Sequence, residues 1–567
     1  MKHWPEQLSR VVCWLAAALA AVSLVSCKVC RPLNSDMYVG PARGGAGAPA
    51  AGKAAGVTPE KPTKPKAAAG PVKKAEPVAK KAAPADAAIL SDGPLAKKRA
   101  LLMALKNNQA LVVERLTPRI ARTWEPESWS VFDPVLTGAI GHERVAGEDL
   151  RSRGERFNYH SDAVVGEAGL TKLFPTGTQV ALGAMTEVGD ISMLDQLVRS
   201  RLGLTLTQPL LKGAGTETNL AVVRQARLDA LASDYQLRGF VEMFVAEVEQ
   251  TYWDCMLAKL QIEIFEKVVD VARKRLERTK DRIKAGTISR TEQWAAEGGL
   301  ARRRERLIDA QSDLKTAKLR LLRAMNPGGN GFWEHDFQLP KPPDVPNETL
   351  DVDPATYAEA AMQMRPDLNE ARLRVKQGTL EVVRTRNGLL PQLDLFVTWG
   401  KSGYAKSFGG SWGDMPGDAH DLVFGVRAAV PLGNHAARAQ HKRAKLTHRQ
   451  AQEALKNMEQ LVQQDVRTAY IEVERATAQI EASKVTLSGR ERTYRAEVDR
   501  HAIGRSTMFQ VIRAERNLLE SQNTVAQSII DYLKAFVELH RLTGRLLQLR
   551  GIEAAGGEPP GPESSRR

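Results

Sequence analysis

Between residues 216 and 326 the chain carries apolar residues on a seven-residue period, interrupted once by a glycine. Val241, Val248, Cys255, Ile262, Val269 and Leu276 form one line, with Leu237, Phe244, Ala258, Phe265 and Ala272 running beside it. Charged residues fill the positions between. Such seams predict long helices that pair by left-handed supercoiling. No proline falls within 216–284, so that stretch predicts one nearly continuous helix, about 100 Å long at a rise of 1.5 Å per residue. Gly286 breaks it. A return helix follows, with Leu300, Leu307, Leu314 and Leu321 on its seam.

The same pattern recurs 218 residues later. Tyr252 falls on Tyr470, Gly286 on Gly504, Leu300 on Leu518 and Leu321 on Leu539, with no gap between Tyr252 and Leu321. Val466, Val473, Ile480, Leu487 and Tyr494 hold the outgoing line beside Leu455, Val462, Ala469 and Ala476, and Leu518, Val525, Tyr532 and Leu539 hold the return. Self-similarity on this scale makes the chain a duplicated helical hairpin.

Ahead of each hairpin the period drops to two. Leu202, Leu204 and Leu206 alternate with Gly203, Thr205 and Thr207; Leu393, Leu395, Val397 and Trp399 alternate with Asp394, Phe396 and Thr398. Leu422, Phe424, Val426, Ala428 and Val430 alternate with Val423, Gly425, Arg427 and Ala429. Val164–Leu173 and Gln179–Met185 flank Pro175-Thr176-Gly177, a hairpin-like turn, while Ser130–Val145 is patchier. A soluble sandwich uses such alternation, and so does a membrane barrel wall with its apolar face toward lipid. On the barrel reading, Leu202, Leu204, Leu206, Leu393, Leu395, Phe424, Val426 and Val430 face lipid, and Thr205, Thr207 and Arg427 face the lumen.

The ends add a location. Residues 1–26 have a basic start and an apolar run from Val11 to Val25, too short to span a bilayer but suited to a secretory signal. Leu24-Val25-Ser26-Cys27 resembles the lipobox of bacterial lipoproteins, which makes Cys27 the lipidated mature N-terminus. Residues 27–94 are rich in Ala, Pro, Gly and Lys and form a disordered tether. Lys28–Ala88 holds eleven Lys/Arg against four Asp/Glu, about half of the net +15, so the basic balance is no sign of nucleic acid. Cys255 sits on a helical seam as a small hydrophobe, and no cysteine or histidine spacing suits a metal. Trp333-Glu334-His335-Asp336 is the one cluster that tempts a catalytic reading. It has no second histidine, and no phosphate loop or serine elbow accompanies it; the chain does not read as an enzyme and implies no cofactor.

Ala104-Leu105-x-Asn107-Asn108, Phe132-Asp133-Pro134-Val135-Leu136 and Gln208-Pro209-Leu210-Leu211-x-Gly213 in the first repeat, with Arg365-Pro366-Asp367-Leu368 and Leu390-Pro391-Gln392-Leu393 in the second, resemble the TolC family of bacterial outer-membrane efflux proteins. Arg282-x-x-x-Gly286-x-x-Ser289, echoed by Arg500-x-x-x-Gly504, resembles that family's hairpin-tip motif. The resemblance covers 95–546. It implies a mainly α fold with a membrane β-barrel, in which duplicated coiled-coil hairpins and amphipathic strands assemble as a trimeric α/β barrel tunnel. It also implies an exit duct embedded in outer-membrane lipid, serving a tripartite efflux pump or type I secretion system through a periplasmic adaptor and an inner-membrane transporter. On that reading Arg282, Ala285, Gly286, Thr287, Ser289, Arg500, Ile503, Gly504 and Thr507 meet the adaptor. Glu292, Gln510 and Arg513 line the periplasmic constriction; Glu292 and Gln510 stand six residues after the tip glycines, where the family commonly has an aspartate, and Gln510 with the nearby Arg513 departs from a ring of acids that would favour cations. The other reading is a periplasmic adaptor or structural coiled coil without channel activity, for which one hairpin would suffice.

The expected organisation is a first repeat over 95–329, a Pro-rich joint over 330–352, a second repeat over 353–546 and a disordered tail over 547–567. Four membrane strands per protomer are expected, twelve in the trimer, with the 164–185 hairpin as an addition of open role.

Overall fold

The computed structural model describes residues 94–150, 156–191, 194–287, 289–327, 332–341 and 353–552. The signal segment, Cys27, nearly all of the tether, much of the Pro-rich joint and the chain beyond 552 lie outside the described residues.

Four helices, α1 (Lys97–Asn107), α2 (Gln109–Glu114), α3 (Leu116–Ala121) and α4 (Trp124–Trp129), lead into strands β1 (Val135–Leu150), β2 (Arg156–Leu173), β3 (Gln179–Ile191) and β4 (Leu194–Pro209). A single turn, α5 (Thr216–Asn219), precedes α6 (Ala221–Lys284), and α7 (Arg290–Met325) returns. The second half repeats the plan with α8 (Pro354–Met364), α9 (Pro366–Asn387), β5 (Gln392–Ala405), α10 (Phe408–Gly413), β6 (His420–Ala429), α11 (His435–Ala502) and α12 (Met508–Leu542). One last turn, α13 (Leu546–Leu549), ends it. Among the described residues no helix is long and apolar enough to cross a membrane.

With 64 and 68 residues, α6 and α11 are each about 100 Å long. The break at Leu220 (φ −86°, ψ 0°) departs from the expected continuous helix. Its cause is local: Asn219 turns its amide to the carbonyls of Pro175 (3.1 Å) and Gly213 (2.9 Å), tying that first turn to the β2–β3 loop. Along the seams Val241, Val248, Cys255 and Val269 are buried, as are Val466, Val473 and Ile480. Toward the far end burial falls off, and Leu276, Leu487 and Tyr494 are only half covered.

Midway along α6, a belt of other elements closes over the helices. Leu101, Met103, Leu111, Val245, Met256, Leu321, Met325, Ile530 and Leu546 share one core. Asn108 shows why the Asn pair stands where it does. Its side chain accepts from the amides of Ala110 (2.9 Å) and Leu111 (3.3 Å), capping α2, and donates to Ala324 O (3.0 Å) at the end of α7. The joint is more than a connector, because Phe337 and Leu339 are buried in this core and Leu95 N donates to Gln338 O at 2.7 Å. Asp336, from the cluster that tempted a catalytic reading, pairs with Lys318 at 2.5 Å and accepts from the Phe337 amide. Residues 546–549, partly within the tail expected from 547, form the last helical turn. Leu547 is buried, and Arg550 makes a two-pronged pair with Glu249 (2.5 and 2.9 Å). Glu249 is wholly buried, and its charge there needs Arg550 and Lys97 (3.2 Å), so the terminal turn is ordered by an electrostatic demand.

The six strands form one antiparallel sheet in the order β1-β2-β3-β4-β5-β6. The sheet thus holds two strands more than the four membrane strands expected. The 164–185 hairpin is the middle of two full-length strands, paired along their whole height with β1 and β4.

Candidate functional site

The sheet has two chemically distinct faces, set by its register. Leu136, Leu170, Leu182, Leu204, Trp399 and Leu422 lie in one row across all six strands, and Val180, Leu206, Val397 and Phe424 lie in the next. Leu202, Leu393, Leu395 and Val426 share that face, and Val430 follows β6 in the same alternation. The exposure is large for an apolar surface: Phe424 75%, Val426 60% and Leu422 59%. The opposite face carries Thr137, Gly169, Gly183, Gly203, Gly400 and Asp421 in one row and Thr171, Ala181, Thr205 and Thr398 in another. Thr207 and Arg427 point the same way. This second face is concave and holds a trough of about 510 Å³, lined in part by Arg201, which pairs with Asp421 (2.6 Å). An apolar outer face and a small, polar, concave inner face are what water on one side and lipid on the other require.

The far ends of the hairpins are two copies of one turn. Gly286 has φ +71° and Gly504 φ +76°, the left-handed conformation that closes a helix without a Cβ clash. The amides of Thr287 and Arg505 reach back to the carbonyls of Arg282 (3.0 Å) and Arg500 (2.8 Å). Ser289 and Thr507 then cap the return helices through Thr291 N and Gln510 N. Ala285, Gly286 and Thr287 are exposed, as are Ile503, Gly504 and Thr507, and so are Arg282, Ser289 and Arg500. At the second tip Glu497 accepts from Ser506 (2.6 Å) and Arg500 (3.0 Å), bonds that hold its carboxyl below the usual range. Glu292 lies in the first turn of α7, and Gln510 and Arg513 are exposed in the first two turns of α12.

Charge is concentrated at this end. Residues 271–306 and their repeat counterparts 489–524 hold nineteen Lys/Arg against ten Asp/Glu. Behind the tips a feature appears that the sequence reading missed. Glu515 of α12 is buried and pairs with Arg275 of α6 and, at 3.0 Å, with Arg303 of α7. Arg303 approaches as an ion pair without hydrogen-bond alignment. Arg275 also donates to the Tyr494 hydroxyl of α11 at 3.4 Å. One carboxylate thus ties together all four long helices. The signal available in the sequence was a glutamate on the apolar side of an amphipathic helix.

Besides Glu249, another buried carboxylate lies in the belt. Glu242 faces Arg238 (3.4 Å), but burial outweighs the guanidinium and pushes its carboxyl up to about 7. The unfolded chain releases this proton near the ordinary glutamate value of 4.5, so between those pH values the native state holds a proton the unfolded state has lost. Stability therefore falls as pH rises through that window, by roughly 3 kcal/mol in all. Glu242→Gln removes the fall. Thermal melts of the two proteins, compared between acid and neutral pH, measure it.

An antiparallel sheet with one apolar and one polar concave face, standing on paired helices about 100 Å long with exposed tips, is the build of an envelope channel segment. Residues 186–327 and 358–545 match the family described as outer membrane efflux protein, and the chain belongs to that family. It is an outer-membrane efflux channel. Outer membrane efflux protein BepC of Brucella suis is 22% identical over 377 residues, covering 65% of this chain and 78% of that protein. Alkaline protease secretion protein AprF of Pseudomonas aeruginosa is 24% identical over 357 residues, covering 59% and 69%. Among solved structures, the outer-membrane channel OprN superposes with a TM-score of 0.60 at 16% identity, covering 79% of this chain and 89% of that one. The Campylobacter jejuni CmeC outer membrane channel gives 0.59 at 14%, covering 82% and 87%. At these identities the structural likeness is one of fold.

Proposed function

We propose that three copies of this chain close into one duct. The strands form a barrel in the outer membrane and the hairpins a tunnel across the periplasm. Cargo enters from an inner-membrane transporter through a periplasmic adaptor that grips the Gly286 and Gly504 tips, as in a tripartite pump or type I secretion system. The two-faced sheet carries this reading. Its edge strands β1 and β6 each have a neighbour on one side only within the chain, and lipid admits no unpaired edge, so closure by further copies satisfies both. Purified protein added to a planar bilayer should conduct in discrete steps; inserted trimers that carry no current would sink the proposal.

Two properties accompany it. Cys27 should be the lipid-bearing mature N-terminus, and intact-mass spectrometry of the membrane-extracted protein should show the acylated cysteine; an unmodified start elsewhere removes the anchor. The mouth should favour anions, because Gln510 replaces an acid that would attract cations, Arg513 is near it, and the tips hold the basic excess. A reversal potential under a salt gradient reads the preference, and a cation-selective value contradicts it.

A further inference from the structure

The outer face of the added hairpin is built for lipid as fully as its neighbours are. On β2, Lys172 and Asp162 bracket Leu170, Ala168, Gly166 and Val164 on that face. Ten residues separate the two charges, about 33 Å along a strand and about 25 Å of height at a tilt near 40°, the height of a membrane barrel's apolar band. On β3 the same face reads Val180, Leu182, Ala184, Thr186 and Val188, and its one hydroxyl is bonded to Ser200 at 3.1 Å. Asp162 sits with Arg144 (2.8 Å) and His142 as a charged rim above the band. At the other end the Pro175 turn is tied to Asn219 and Gly215 beside the helices, so the hairpin spans the sheet from bottom to top and does not rise above it. Across the sheet β1 and β6 run in opposite directions, so copies can join edge to edge with every pair antiparallel.

We propose that the β2–β3 hairpin is barrel wall, and that three copies, with six strands each, close an eighteen-strand exit pore that admits large hydrated polymers. This rests on the trimeric duct reading. Barrel diameter grows about linearly with strand number, so the pore is about 1.5 times as wide as a twelve-strand one, about 35 Å between backbones. Much of its lining is small: Gly169, Gly183 and Gly203 project nothing into the bore and Thr171, Ala181, Thr205 and Thr398 little, while the Arg201–Asp421 pair lies flat over Gly400. Barrels of sixteen to eighteen strands hold an open aqueous channel.

Cysteines placed singly at Gly183 and Leu182 in the full-length protein, in outer membranes, test the wall. A Cβ at Gly183 meets nothing within 4 Å, and Leu182 is on the apolar face. Gly183→Cys should react with polyethylene-glycol maleimides applied from outside, whereas Leu182→Cys should lose that reaction and take a lipid-soluble maleimide. Equal labelling of both by the water-soluble reagent would place the hairpin outside the bilayer and overturn the proposal. A graded polymer series then reads the width. At Thr205→Cys, a variant lacking 151–193 should exclude polymers that the full chain admits, and the same cut-off in both would also overturn it. If that variant fails to fold, the Gly183 and Leu182 pair still decides. Failure of the duct reading is separate: the full-length protein would carry no current whatever its labelling.

Discussion

Tryptophan at both Gly286 and Gly504 abolishes export while the trimer still assembles and inserts. Each glycine has positive φ, where an L-residue costs about 1–2 kcal/mol. Neither has an atom within 4 Å of an added Cβ, so the indole is not forced into the protein's own packing. The loss therefore comes from the surface an adaptor must grip. Asparagine tolerates the left-handed conformation and has a small side chain, so Gly286→Asn with Gly504→Asn should retain most export. Export in cells whose own copy is removed, alongside adaptor pull-down, separates the two ideas. Normal export by the tryptophan pair would mean that the tips are not the docking surface. Loss in the asparagine pair, with adaptor binding retained, would make the glycines mere turn formers.

These tips were legible because their signal is local: a glycine between two seamed helices, seen twice. The two faces of β4, β5 and β6 were legible for a similar reason, since Leu204, Leu206, Phe424 and Val426 contrast sharply with Thr205, Gly425 and Arg427. Strands β2 and β3 lack that contrast. Gly166, Ala168 and Ala184 face outward while Gly169, Ala181 and Gly183 face inward, so small residues stand on both sides and the alternation fades. The full count of six strands followed only from pairing. Long-range electrostatics was illegible for another reason. Glu515 stands on the apolar side of its helix, but nothing local names a partner for it or for Glu249, and their partners Arg275 and Arg550 lie 240 and 301 residues away. Arg550 is held in place by its pair with Glu249, and no local signal announces it.

Glu515→Ala should loosen the mouth of the tunnel. The Glu515 side chain is 6% exposed, and the side chains of Arg275 and Arg303 are 18% and 16% exposed. Removing it leaves two poorly solvated cations facing each other, and breaking a buried pair this way costs about 3–5 kcal/mol. The cost falls on the packing of the α12 return helix against α6 and α7, the contact that must give way for the tips to part. Hairpins that separate more readily should raise the bilayer conductance of the isolated channel and lower its melting temperature. Lys284–Asp281 provides the contrast, because both side chains are at least 75% exposed and such pairs contribute about 0–1 kcal/mol. Asp281→Asn should therefore leave conductance unchanged. Adding Arg275→Leu to Glu515→Ala removes one of the stranded charges and should recover part of the stability without restoring the tie between hairpins, so the conductance stays high. A Glu515→Ala channel with ordinary conductance and an unshifted melt would show that the four helices are held at this level by their seams alone.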